Sequence, residues 1–182
     1  MALTPSSMIP LGTAMPAFTL PDPAGALTSS SDYTGKPLLV MFICNHCPFV
    51  KHIAAALSDF AAEYMPAGLG IVAINSNDFA SYPEDSPQKM QEEVAARGYR
   101  FAYLVDEDQS VAKAFDAACT PDFFLFDGEG NLAYRGQFDD SRPGNAEPVN
   151  GKDLRGAVDK VLAGEKPGED QMPSIGCNIK WK

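Results

Sequence analysis

"PLLVMFICNHCPFVKHI", residues 37–53, holds the sharpest change of pattern in the sequence. From Pro37 to Ile43 the chain is continuously apolar, which marks a strand buried on both faces. Beyond it Phe49, Ile53, Leu57, Phe60 and Tyr64 recur at helical spacing, so one face of an α-helix continues to about Met65-Pro66. Cys44 and Cys47 lie where strand gives way to helix. Cys44 then sits at the strand's carboxyl end, where open α/β sheets carry their sites. A helix beginning at about Asn45 to Cys47 aims its unpaired N–H groups and positive dipole end at the Cys44 sulfur, favouring thiolate. His46 adds positive charge when protonated. Cys47, one turn further in, is expected to be more buried and less acidic. Cys44 therefore takes the role of attacking thiolate and Cys47 that of resolving thiol. A disulfide closing so short a loop gains little loop entropy, so its use is chemical rather than structural.

Outward from this junction the chain alternates. "AFTLPDPAGALTSS" reads as an N-terminal hairpin and "SSDYTG" as a short turn of helix. "LGIVAIN" is a second buried strand and "SNDFASYPED" a polar loop. Ser86-Pro87 pairs an N-cap with proline at the first helical position, opening a helix that runs to about Gly98. "FAYLVD" is a strand, "SVAKAFDAA" a short helix, and "DFFLFDGEGNLAYRGQF" a second hairpin. "KDLRGAVDKVLAG" is a last helix. The order predicts one α/β domain over residues 1–182: a largely parallel central sheet with helices on both faces and antiparallel strands at one edge. Residues 1–15 are read as an irregular arm and 165–182 as an irregular tail.

Composition narrows the function classes. The net charge of −10 argues against a nucleic-acid groove, and no apolar run is long enough for a membrane span. The first residues lack the basic-then-apolar pattern of a secretory leader, so a cytoplasmic protein is expected. In that compartment a close Cys pair is redox-active or metal-binding more often than structural.

"ACTPDFFLF" supplies the second half of the site. Pro121 opens a strand at the same end of the sheet, and an X-Pro bond can be cis at modest cost. A cis bond would turn the Thr120 backbone toward Cys44 and leave its N–H and C=O open to an extended substrate. Cys119 lies two residues before Pro121 and reads first as a small buried apolar residue. Cys177, in "SIGCNIKW", can dock near the site. The two form a possible second redox pair, or Cys177 relays electrons to Cys44 and Cys47.

Cys44-Asn45-His46-Cys47 at a strand–helix junction, with Thr120-Pro121 before an edge hairpin, resembles the thioredoxin superfamily. The N-terminal hairpin and the turn Gly128-Glu129-Gly130-Asn131-Leu132 resemble its peroxiredoxin-like branch, the redoxin/AhpC–TSA group. The resemblance implies a thioredoxin fold with an N-terminal β-hairpin extension. It also implies a dithiol/disulfide centre at Cys44 and Cys47, and a cis-proline at Pro121.

Some positions depart from these patterns. Ile43 stands where thioredoxins carry Trp, and Leu38 where a buried acid often serves the resolving thiol, with no acid in "LGIVAIN" to replace it. Met41 occupies the place of the peroxiredoxin Thr. His46 resembles strongly oxidising disulfide oxidoreductases, in which such a His stabilises the reduced form; a centre more oxidising than thioredoxin is expected. The reading is a thiol–disulfide oxidoreductase, with Cys44 and Cys47 catalytic, His46 tuning their pKa, and Thr120 and Pro121 shaping the substrate groove. Its partners are a protein or small-molecule disulfide and an electron-donating dithiol such as a thioredoxin or glutathione system. No organic cofactor, nucleic acid or membrane is implied. The alternatives are a thiol-dependent peroxidase and a metal- or iron–sulfur-binding module using Cys44, His46, Cys47, Cys119 and Cys177.

Overall fold

A computed structural model describes residues 3–182. Its centre is a five-stranded sheet built around the Pro37–Ile43 run. Strand β4 (Leu38–Phe42) is buried at every position and pairs in parallel with β5 (Gly70–Asn75), which pairs in parallel with β6 (Ala102–Val105). On its other side β4 pairs antiparallel with β8 (Asp122–Phe126), and β8 with β9 (Leu132–Gly136). The spatial order β6-β5-β4-β8-β9 puts the cysteine-bearing strand in the middle.

Alternate residues of each strand feed two cores, as the period of two requires. Leu39, Met41, Ile71, Ala73, Phe123 and Leu125 face helices α1 (Pro48–Tyr64), α2 (Pro87–Arg97) and α4 (Lys152–Leu162). Leu38, Val40, Phe42, Val72, Phe124 and Phe126 face the short helix α3 (Ser110–Ala114) and the hairpin β2 (Thr19–Pro21)–β3 (Leu27–Ser29). On that second face Phe115 meets the rings of Phe42, Phe124 and Phe126 edge-on.

Helix boundaries follow local chemistry. Ser86 caps α2, its side chain accepting from the Lys89 N–H, and Gly98 ends the helix in the left-handed conformation. The first helix starts later than the sequence pattern suggested: Pro48 is its first residue and Cys47 its N-cap. The pyrrolidine ring fixes φ for a helical first position and has no N–H to leave unpaired, so it sets the boundary.

The two ends of the chain correct the expectation of irregular segments. Residues 165–182 contain β10 (Ile175–Asn178), which lies between β1 (Leu3–Pro5) and β7 (Cys119–Thr120) in a three-stranded antiparallel sheet. Within residues 1–15, β1 pairs with that tail and Ala14 bridges to Asn131. Strands of two to four residues in separate segments leave no periodic signal; pairing with one another is what orders them. No helix among the described residues is long and apolar enough to cross a membrane.

Candidate active site

Cys44 and Cys47 lie in the turn between β4 and α1, both buried, with 2% and 0% of their surface exposed. Opposite them the Thr120–Pro121 peptide is cis. The Thr120 hydroxyl is 3.5 Å from Cys44 Sγ, and its carbonyl oxygen is 3.3 Å from Cys47 Sγ. Cys177 is also present: its Sγ is 2.9 Å from that of Cys47. All four cysteines are thiols.

The acidity of the pair reverses the sequence-based expectation. Cys47 is the N-cap of α1, and Cys44 lies outside the helix. Hydrogen bonding with Cys44, Cys177 and Thr120 overcomes the burial of Cys47 and lowers its pKa to about 4. The Cys44 thiol is pushed well above its ordinary value by its hydrogen bond to Cys47, by burial and by the Asp85 carboxylate. These contacts favour the proton on Cys44 and the negative charge on Cys47. When the proton passes to Cys47, its S–H can donate to the Thr120 carbonyl.

Asp85, buried and at the end of a single 3₁₀ turn (Pro83–Asp85), is the residue that sequence reasoning missed. It accepts from the backbone N–H of Asn45 at 2.7 Å and from the side-chain amides of Asn77 at 2.9 Å and Asn75 at 3.3 Å. Its Oδ2 lies 2.6 Å from His46 Nδ1. Tyr103 completes the network by donating to Asn45 Oδ1 at 2.9 Å. A buried acid thus stands near Cys44, reaching in from a loop instead of from β4 or β5. Two prolines bracketing an acid, in "YPEDSP", were the available signal: such a segment is stiff enough to hold a carboxylate in place. Asn75-Ser76-Asn77-Asp78 is correspondingly buried. His46 keeps 18% of its side chain exposed and stacks on Tyr82. Its positive charge, when present, is opposed by Asp85.

The remaining sequence candidates separate. Thr120 is buried and its strand is already paired, Cys177 standing opposite Thr120 and Asn178 opposite Cys119. Its backbone is therefore not open to an extended substrate, because β10 occupies that edge. Cys119 is fully buried beside the Pro121 carbonyl, with its pKa raised by burial and by Asp122. The sulfur in hydrogen-bond contact with Cys177 is that of Cys47. Arg135 and Arg142 donate to carbonyl and amide oxygens, Ile9 and Gln171 for the first, Asp139, Ser141 and Gln137 for the second. For a metal, Cys44, His46 and Asp85 offer donor atoms within 4.8 Å of one another. This trio differs from the cysteine-rich set expected from sequence, because it takes its third ligand from the loop.

Residues 11–135 match the AhpC/TSA family model. The chain belongs to the AhpC/TSA family. Among relatives, the thiol-disulfide oxidoreductase ResA of Geobacillus kaustophilus is 26% identical over 129 residues, 71% of this chain and 70% of that protein. The chloroplastic peroxiredoxin Q of Triticum aestivum is 31% identical over 105 residues, 56% of this chain and 44% of that one. Among solved structures, the hypothetical protein SMc02350 from Sinorhizobium meliloti 1021 is 54% identical with a TM-score of 0.96, covering 98% of each chain. A secreted Mycobacterium tuberculosis disulfide oxidoreductase shares the fold at 23% identity, with a TM-score of 0.62 over 78% of this chain and 94% of that one. The architecture is the thioredoxin fold, and this AhpC/TSA protein has both thiol–disulfide oxidoreductases and peroxiredoxins among its relatives. The family segment includes Cys44, Cys47, Asp85 and Pro121 and stops before β10 and Cys177.

Proposed function

We propose that the protein is a thiol–disulfide oxidoreductase working through Cys44 and Cys47. The observation that carries this reading is geometric: two buried thiols at the β4–α1 junction, one of them the N-cap of α1, face the cis Thr120–Pro121 peptide. A pair so arranged is half-ionised at neutral pH without an outside base. Cys44, at the carboxyl end of β4, attacks the substrate disulfide as its proton passes to Cys47. A mixed disulfide forms on Cys44, and the leaving thiolate takes the proton. Cys47, again a thiolate, then attacks Cys44 Sγ, closing the Cys44–Cys47 disulfide and releasing the second substrate sulfur as a thiolate. Another dithiol, of thioredoxin or glutathione type, returns the two electrons.

Beside the cis-proline lies a small cleft whose lining includes Phe49, Ile53, Pro121, Phe138, Arg142 and Ile175. With the Thr120 edge taken by β10, a small disulfide or a flexible protein loop suits this site better than an extended strand. Stabilising a thiolate stabilises the reduced form, so the centre is expected to be more oxidising than thioredoxin, at about −270 mV. A cytoplasmic setting suits a centre whose dithiol persists.

The deciding experiment is trapping. Cys47→Ser should accumulate a mixed disulfide on Cys44 when given oxidised glutathione or protein disulfides. Cys44 staying fully alkylatable under both would overturn the reading. The competing reading is a metal held by Cys44, His46 and Asp85, favoured by their 4.8 Å grouping. Stoichiometric zinc in purified protein, protecting Cys44 from alkylation, would support it.

A further inference from the structure

Cys177 lies outside the two-cysteine cycle, yet its sulfur is 2.9 Å from that of Cys47. A covalent S–S bond is about 2.05 Å, so less than 1 Å of closure separates contact from bond. The position is built. Cys177 stands opposite Thr120 in β10, held between β1 on one side and β7 on the other. The preceding residue must be glycine for that approach: a Cβ at Gly176 would lie 2.0 Å from the Thr120 carbonyl oxygen. Asn178 and Ile179 continue the contact, the Ile179 N–H donating to the Ala118 carbonyl.

We propose that Cys47 is the exchange point between two disulfides, Cys44–Cys47 and Cys47–Cys177, so that Cys177 is a third redox thiol of the centre. The step rests on the dithiol cycle above for its starting disulfide. Cys177 attacks Cys47 Sγ, the Cys47–Cys177 bond forms, and the Cys44–Cys47 bond breaks. Cys44 leaves as thiolate and takes the proton that Cys177 gives up. No electrons enter or leave, so no further oxidant is needed. Cys177 is hard to ionise while Cys47 carries a charge, since burial and the Cys47 thiolate both hold its pKa up. Once Cys47 is in a disulfide that charge is gone, and the attack becomes easier at the moment it is required. The relay moves the disulfide from Cys44–Cys47 to Cys47–Cys177 and returns Cys44 as a thiol. It also ties α1 to the last strand across 130 positions of sequence.

The test reads which sulfurs are joined. Wild type, Cys177→Ser and Cys44→Ser are equilibrated with oxidised and reduced glutathione, quenched in acid, alkylated and digested with trypsin. Cys44 and Cys47 fall in one tryptic peptide and Cys177 in another, so a Cys47–Cys177 bond joins two peptides and a Cys44–Cys47 bond does not. The joined pair is expected in oxidised wild type with Cys44 alkylated, is lost in Cys177→Ser, and is the main intramolecular disulfide in Cys44→Ser. Cys177 fully alkylated in both wild type and Cys44→Ser overturns the proposal. A joined pair in Cys44→Ser alone overturns the relay, because the sulfurs then meet without exchanging. Absence of Cys44–Cys47 from Cys177→Ser would count against the dithiol cycle, while the Cys44→Ser arm still reads the Cys47–Cys177 contact separately.

Discussion

The charge at this site is decided by single donors. Hydrogen bonding with the Cys44 thiol, the Cys177 thiol and Thr120 holds the Cys47 pKa down, to about 4. Titrating reduced protein by thiolate absorbance should give a midpoint at about pH 4, with the thiolate present above and lost below. Cys44→Ser weakens the largest of these contributions and should raise the midpoint. A midpoint near 8.5, the ordinary cysteine value, would show that the donors do not act together. Asp85 works in the opposite direction. Its carboxylate helps hold the Cys44 thiol protonated. Asp85→Asn should therefore lower the Cys44 pKa, read as a shift to lower pH in the alkylation profile of Cys44 in a Cys47→Ser background. An unchanged profile would remove Asp85 from the tuning. The cysteines were legible in sequence because Cys-x-x-Cys at a strand–helix junction is local. Their relative acidity was not, because it depends on contacts of Cys47 with Thr120 and Cys177, 73 and 130 positions away. Asp85 was hidden by being 40 positions from the backbone N–H it binds.

Among elements, periodicity made the long ones readable. Strands β4 and β5 are continuous apolar runs, and α1 repeats its buried face over four turns. The Ser86 cap of α2 was readable too; Ser86→Ala should cost about 1 kcal/mol in urea unfolding. The three-stranded sheet of β1, β10 and β7 could not be read, since strands this short carry no pattern until they find each other. Its weak point is Gly176. Gly176→Ala drives a methyl group against the Thr120 carbonyl, so β10 must move away from β7. The expected loss is about 1–3 kcal/mol of stability, together with a higher Cys47 midpoint as the Cys177 donor recedes. Stability and midpoint both unchanged would mean that β10 is not held as described.

Across the whole molecule, one buried acid joins the ends of the chain to the sheet. Asp122, first residue of β8, accepts from Ser6 Oγ at 2.8 Å, and that same oxygen accepts from the Ser174 N–H. Burial raises the Asp122 pKa to about 7, against 3.8 ordinarily. The folded protein therefore holds this proton more tightly than the unfolded chain does. The resulting stability is complete below about pH 4 and is lost as pH rises through about 7. Stability of wild type minus that of Asp122→Asn should fall over this interval, by up to about 1.4 kcal/mol per pH unit; a difference independent of pH would refute it. The α/β order and both hairpins were legible because each is contiguous, whereas this tie depends on residues 116 positions apart. Cys47 obeys the opposite rule, since unfolding at neutral pH restores its ordinary acidity and takes up a proton. Near pH 5.5 the reduced protein thus gains one proton at Cys47 and gives one up at Asp122, and these two exchanges with the buffer nearly cancel. With Cys47 in a disulfide only the release remains. Heats of unfolding measured in buffers of different ionisation enthalpy would then distinguish dithiol from disulfide, making the redox state of the molecule readable by calorimetry.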